Sequence, residues 1–347
     1  MERLTPNHHL FMKLSVGIIG LPNVGKSTLF KLITKKEVLI ANYPFATIDP
    51  NVGVVAVPDD RLNKLAELSK SKKIVPAIVE FYDIAGLVKG ANQGEGLGNK
   101  FLSHIQDVNA IVHVVRSFQD DNIIHIEQDV NPVRDLEIIN TELMLRDLDT
   151  LEKRITKLES ELRRLNDKEK VKDLEVLNEI KSCLSKNILV ANMTEDVKTY
   201  PLLKELGLLT EKPQIYLLNG CEDDISEELK DVIKSLQADY VTIDLSTASD
   251  INLLIQKTYT ILGLISFLTT GEDETRAWTI PINTLANVAA GVIHSDFEKK
   301  FIRAEVINWQ KLLDIGGWTQ AKQKGLVRTE GKQYIVNDGD VMEIRHG

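Results

Sequence analysis

Eight residues, Gly20-Leu21-Pro22-Asn23-Val24-Gly25-Lys26-Ser27, place two glycines, a lysine and a hydroxyl at the spacing G-x-x-x-x-G-K-[ST]. The glycines let the backbone curl so that successive N–H groups, those of Val24 and Gly25 among them, face one anion. The motif sits between an apolar run and an amphipathic stretch, so a helix N-terminus adds its dipole to the same site. The chemistry such a loop can do is to bind and polarise a nucleoside triphosphate. Lys26 would reach the β- and γ-phosphates, Ser27 would ligate Mg2+ and Thr28 would touch the α-phosphate. Lys26 is expected to be a solvated loop charge that serves both binding and catalysis. Asn23 could help hold K+ where a finger of positive charge is otherwise needed; its plainer role is to stabilise the turn.

A phosphate loop alone would also suit a small-molecule kinase. A second motif points elsewhere: Asp83-Ile84-Ala85-Gly86 reads as the D-x-x-G of GTPase-like switches, after a strand-like run. Asp83 would hold Mg2+ through water, and the Gly86 N–H would meet the γ-phosphate. Thr47, in the proline-flanked stretch Asn42 to Pro50, supplies a hydroxyl that could close on the metal only in the triphosphate state. Leu87 stands where a glutamine would orient the attacking water, so hydrolysis is expected to be slow or to use another group. His125 is the candidate, against the plainer reading of a structural histidine. The run Gly90 to Gly98 reads as a mobile switch.

No N-K-x-D sequence exists to read guanine. Two N-x-x-E sequences do, Asn192 to Glu195 and Asn219 to Glu222. The second ends a strand-like run, where a base-reading loop belongs, so Asn219, Gly220 and Glu222 are the base-site candidates. Glu222 is one methylene longer than the aspartate that accepts from guanine, and Gly220 replaces the lysine that packs along the base. ATP is therefore expected to bind at least as well as GTP.

These residues need a scaffold. Apolar runs over 14–20, 52–57, 77–83 and 110–116 read as buried strands, and the stretches from Lys26 and Arg61 as helices, which makes an α/β sheet. From about Arg134, Leu148, Leu151, Ile155, Leu158, Leu162 and Leu165 recur at spacings of three and four, an a/d seam answered by Leu174, Leu177, Ile180 and Leu184. This pattern predicts an antiparallel helical hairpin. Its charges are interspersed, which reads as a solvated face rather than a nucleic-acid patch. The α/β pattern resumes at 213–219 and 240–245. The segment from about Ile265 holds all three tryptophans and looks like a small α+β domain.

The chain has 347 residues with a formal net charge of −9, which argues against generic nucleic-acid binding and leaves only local RNA contact. Two cysteines make no disulfide framework, and no apolar run approaches a membrane span. A cytoplasmic protein without membrane attachment is expected, and Met12 could be the natural start.

The stretches 20–30, 42–48 and 83–90, with Lys212-Pro213, Asn219-x-x-Glu222, Arg276 to Ile280, Gly291 to His294 and Asp338 to Met342, resemble the YchF or Obg-like ATPase family from Met12 onward. The resemblance implies a Ras-like P-loop G domain (12–133 and 209–264), an inserted antiparallel coiled-coil arm (134–208) and a C-terminal TGS domain of β-grasp fold (265–347). It also implies ATP hydrolysis at least as good as GTP hydrolysis, and association with ribosomes or translation factors. Ser246-Thr247-Ala248-Ser249 departs from the Ser-Ala-Lys-like loop of the family, which puts its contacts to the base in doubt. In the C-terminal segment, Trp278 beside Arg276 and Phe301 beside Arg303 could meet RNA or simply be core. Two functions remain open: a slow nucleotide-switch ATPase acting on a ribosomal partner, with a true GTPase as its variant, and a ribosome- or RNA-binding scaffold with little turnover.

Overall fold

The structure, a computed structural model, describes residues 15–35, 51–84, 105–120, 123, 129–163 and 167–347. Thr47, Gly86, Leu87, the run 90–98, His125 and Leu165 lie outside the described residues. Strand β1 (Ser15–Ile19) leads into helix α1 (Lys26–Thr34). Then come β2 (Val52–Ala56), α2 (Asp60–Ser69), β3 (Lys73–Val75), β4 (Ile78–Asp83) and β5 (Ala110–Arg116). The arm is α3 (Pro132–Leu162) and α4 (Lys168–Leu184), after which the chain returns through β6 (Gln214–Asn219), α5 (Glu227–Ser235), β7 (Asp239–Ile243) and α6 (Asn252–Ile261).

The first sheet runs β2-β4-β1-β5-β6-β7. Every neighbouring pair in it is parallel except β2 with β4. Its central strands are covered on both faces, which is why β1, β5 and β6 are buried along their whole length and read as unbroken apolar runs. Loops at the carboxyl ends of β1, β5, β6 and β7 meet at one rim of the sheet, where such folds hold their ligands.

Asn131 caps α3 by accepting from the Arg134 N–H, with Pro132 in the first turn, and Asp167 caps α4 through the Glu169 and Lys170 N–H groups. The 31-residue α3 is about 46 Å long at 1.5 Å per residue. Leu151, Ile155 and Leu158 pack with Leu177, Ile180 and Leu184, as the seam implies. A buried carboxylate that the sequence pattern does not reveal ties the arm to the returning chain. Asp147 accepts from the Leu209 and Thr210 N–H groups, both at 2.8 Å, and from the Thr210 hydroxyl at 2.6 Å.

The rest includes β8 (Leu264–Thr270), β9 (Glu274–Pro281), α7 (Ala286–Ile293), β10 (Phe301–Asn308), α8 (Trp309–Ile315), β11 (Arg328–Glu330) and β12 (Asp340–His346), with short helices at Ser295–Lys299 and Trp318–Gln323. Parallel β8 and β12 are flanked by antiparallel β9 and β10, and α7 packs its alanines over Phe267, Ala304 and Val306. This is the β-grasp arrangement. Phe301 is 4% exposed and belongs to that core, so it is not available to stack on RNA. Trp278 is half-buried, stacks on Phe267, donates to the Thr269 hydroxyl at 2.9 Å and carries the Arg276 guanidinium on its ring at 4.1 Å.

The second sheet is completed by a strand for which the sequence carries no visible period. Its order is β11-β10-β12-β8-β9-β3, and β3 pairs with β9 through Lys73 with Glu274, Ile74 with Thr275 and Val75 with Arg276. Leu62 and Leu65 of α2 share a hydrophobic cluster with Leu268, Ala277 and Leu312. Arg61 bridges Asp59 at 2.8 Å and Asp338 at 2.6 Å. The chain from Val52 to Asp83 therefore contributes to both sheets.

Candidate nucleotide-binding site

The loop between β1 and α1 is shaped by backbone that side chains resist. Gly25 has φ 109 and Asn23 φ 62, and a Cβ on Gly25 would run into the Asn219 amide nitrogen. Helix α1 opens with no side-chain cap and no acidic residue in its first turn, so its leading N–H groups remain available to an anion. Ser27 and Thr28 lie on that turn, with Ser27 exposed toward solvent.

Lys26 is not the solvated charge expected of it. It is 8% exposed, and its ammonium donates to the Gly20 carbonyl at 3.0 Å and the Leu21 carbonyl at 2.7 Å. The reason is local: the curled loop turns its carbonyls inward and supplies the lysine with acceptors. Burial lowers its pKa to about 8, opposed by the nearby Asp83 carboxylate. At the end of β4, Asp83 is itself raised above the usual carboxylate range by burial, with Lys26 pulling the other way. The two groups thus sit within each other's field at the junction of β1 and β4.

A cleft of about 430 Å³ opens over this loop. Its floor is Asn23 and Gly25 to Thr28; one wall is Phe118, Gln119, Asp120 and Ile123; the other is Asp244, Leu245 and Ser246. Asn219 closes the back. It is 4% exposed, donates from Nδ2 to the Val24 carbonyl at 2.8 Å and accepts at Oδ1 from the Leu245 N–H at 3.0 Å. Asn219 therefore clamps the loop between β1 and α1 to the loop after β7, and one amide hydrogen and one lone pair are left for a ligand. The structure does not bring Gly220 or Glu222 into the cleft lining. Gly220 instead backs onto the Phe118 N–H and Asp224, and Glu222 opens a short turn in which Asp224 accepts from the Cys221 N–H at 2.8 Å.

The loop that departs from the family pattern is held by its own residues. Asp244 accepts from the Ser246 N–H, the Ser246 hydroxyl and the Thr247 hydroxyl, at 2.9, 2.6 and 2.8 Å, and these donors hold its carboxyl below the usual range. The opposite wall was missed in the sequence. Phe118 stands two residues after Arg116, the buried last residue of β5, and that strand end was the available signal. Ser27 and Asp83 are hard oxygen donors of the kind Mg2+ takes one or two at a time while keeping its waters, so the residues present suit that ion. Among the described residues no cluster of three or more His, Cys, Asp or Glu side chains offers an all-protein metal cage.

Residues 264–347 match the family described as "Protein of unknown function (DUF933)", the YchF-GTPase C-terminal family, and residues 15–192 match "50S ribosome-binding GTPase". The "Ribosome-binding ATPase YchF" of Bacillus subtilis (strain 168) is 45% identical, over 96% of this chain and 99% of that protein. This chain belongs to the YchF family. The YchF protein of Escherichia coli O157:H7 is 42% identical over the same shares. The solved Schizosaccharomyces pombe YchF GTPase superposes with a TM-score of 0.82 at 38% identity, covering 96% of this chain and 98% of that one. The YchF likeness therefore spans the P-loop sheet, the arm and the β-grasp sheet together. Among the described residues no helix is long and apolar enough to cross a membrane.

Proposed function

We propose that this chain is a Mg2+-dependent nucleoside triphosphatase that turns ATP over slowly and passes its nucleotide state to a ribosomal partner. The path of residues 51–83 supports the switch reading over that of a passive scaffold: one stretch carries Asp83 on β4 of the first sheet and β3 on the edge of the second. A displacement at Asp83 would in this reading be passed along that stretch to the C-terminal sheet through β3. The names of the relatives, ribosome-binding ATPases, supply the partner class and the nucleotide.

In this reading α1 offers its N–H groups to the phosphates. Lys26 exchanges its carbonyl partners for phosphate oxygens, a stronger charge-assisted pairing. Ser27 and Asp83, with Thr47, would hold Mg2+, which when bound neutralises charge on the phosphates. Gly86 would donate to the γ-phosphate, His125 would position the attacking water, and Asn23 with K+ would add positive charge. Adenine is favoured because Glu222, the carboxylate that would accept from guanine N1 and N2, does not line the cleft, and the Asp244 carboxylate that does is taken up by Ser246 and Thr247. Losing that matched pair removes guanine's advantage, about 1–3 kcal/mol for each unpaired group. The deciding experiment is calorimetric titration with ATP and GTP in Mg2+ buffer, together with turnover measured with and without ribosomes. ATP affinity at least equal to that for GTP, and a ribosome-dependent rate, are expected. GTP binding about tenfold tighter would make it a GTPase, and a rate near zero under both conditions would make it a scaffold.

A further inference from the structure

We propose that Arg116 is a positioning residue for nucleotide recognition, holding one wall of the cleft in its binding shape. This rests on the reading of the cleft as a nucleotide site. Arg116 ends β5 opposite Asn219 and is 1% exposed, the largest fully buried side chain among the described residues. Its Nε donates to the Phe118 carbonyl at 3.2 Å, Nη2 to the Asp120 carbonyl at 3.1 Å and Nη1 to the Ile123 carbonyl at 3.0 Å. The guanidinium also lies 4.5 Å from the centre of the Phe118 ring. All three acceptors belong to residues that line the cleft.

Burying a cation costs several kcal/mol unless its donors are met. Here backbone carbonyls of one loop meet them, in the planar fork that only arginine presents. The side chain thus organises Phe118 to Asp120, which have no regular secondary structure of their own. The loop starts beside the base-site residues, with the Ser117 N–H on the Asn219 carbonyl at 2.9 Å and the Phe118 N–H against Gly220. Arg116 therefore acts on the end of the cleft that meets the base, while Lys26 and Ser27 serve the phosphate end. A role confined to general stability would affect both ends alike.

The test is titration of the full chain with ATP and with inorganic tripolyphosphate in Mg2+ buffer, for wild type, Arg116→Met and Arg116→Lys. Arg116→Met keeps the apolar stem and removes the donors. It should weaken ATP by about tenfold or more and tripolyphosphate by less than about twofold, the loss of one or more net hydrogen bonds at the base end alone. Arg116→Lys keeps the charge but not the fork and should weaken ATP by about threefold or more, again sparing tripolyphosphate. Should Arg116→Met not fold, Arg116→Lys decides on the same criterion. Equal weakening of both ligands, or ATP affinity kept within about twofold in the folded variants, overturns the role. Wild type binding neither ligand would instead remove the nucleotide reading of the cleft, and this inference with it.

Discussion

The Asn219 amide nitrogen lies 2.8 Å from the Val24 carbonyl and occupies the space that a Cβ on Gly25 would need. The phosphate loop and the base-side loop are thus held against each other by one side chain and one missing methyl. Asn219→Ala should leave the Val24 carbonyl and the Leu245 N–H without partners, costing about 1–3 kcal/mol for each. Gly25→Ala should reduce ATP affinity by about tenfold or more, through both the clash and the left-handed backbone. Denaturant titration and calorimetry read the two effects, and wild-type values in both variants would dissolve the clamp.

Lys26 should make nucleotide binding depend on pH. Its pKa in the free protein is lowered to about 8, and triphosphate oxygens replacing carbonyls must favour the ammonium and raise it. The bound form then holds more protons, so affinity should fall as pH rises above about 8, and binding near pH 8.5 should take up a proton. Calorimetry in buffers of different ionisation enthalpy reads that uptake. No uptake between about pH 8 and 9 would show that Lys26 is already fully charged when free. Lys26→Ala should abolish useful triphosphate affinity.

Gly339 has φ 79, and a Cβ there would stand 2.6 Å from Trp309 Cδ1 and 2.9 Å from Arg61 Nη1. Gly339→Ala should therefore push Arg61 of α2 and Trp309 of α8 away from the turn before β12, loosening α2, which precedes β3, on the C-terminal sheet and lowering stability by about 1–3 kcal/mol. Nucleotide affinity should hold while the effect of ribosomes on turnover shrinks. An unchanged ribosome effect in a destabilised variant would mean that β3 does not transmit the nucleotide state.

His125→Ala should slow turnover by about 10²-fold with little change in ATP binding, the range of a general acid–base group. Equal loss of both would make His125 structural. Hydrolysis should be faster in K+ than in Na+ if Asn23 takes part in a cation site, and equal rates would remove that role.

The sequence by itself determined what is local. The phosphate loop is legible because its glycines, lysine and hydroxyl act within eight consecutive residues, and the strands of the first sheet because burial on both faces leaves unbroken apolar runs. The arm is legible because a helix repeats its buried positions every three or four residues. Tertiary structure decided the rest, because the determining contacts join residues far apart in the chain. Lys73–Val75 is too short to show a period and becomes a strand only when β9 pairs with it. Arg116 and Asp147 are charges that composition assigns to the surface, and each is buried because backbone groups converge on it in the fold. Lys26 looked solvated for the same reason: the carbonyls that take it out of water exist only once the loop has curled.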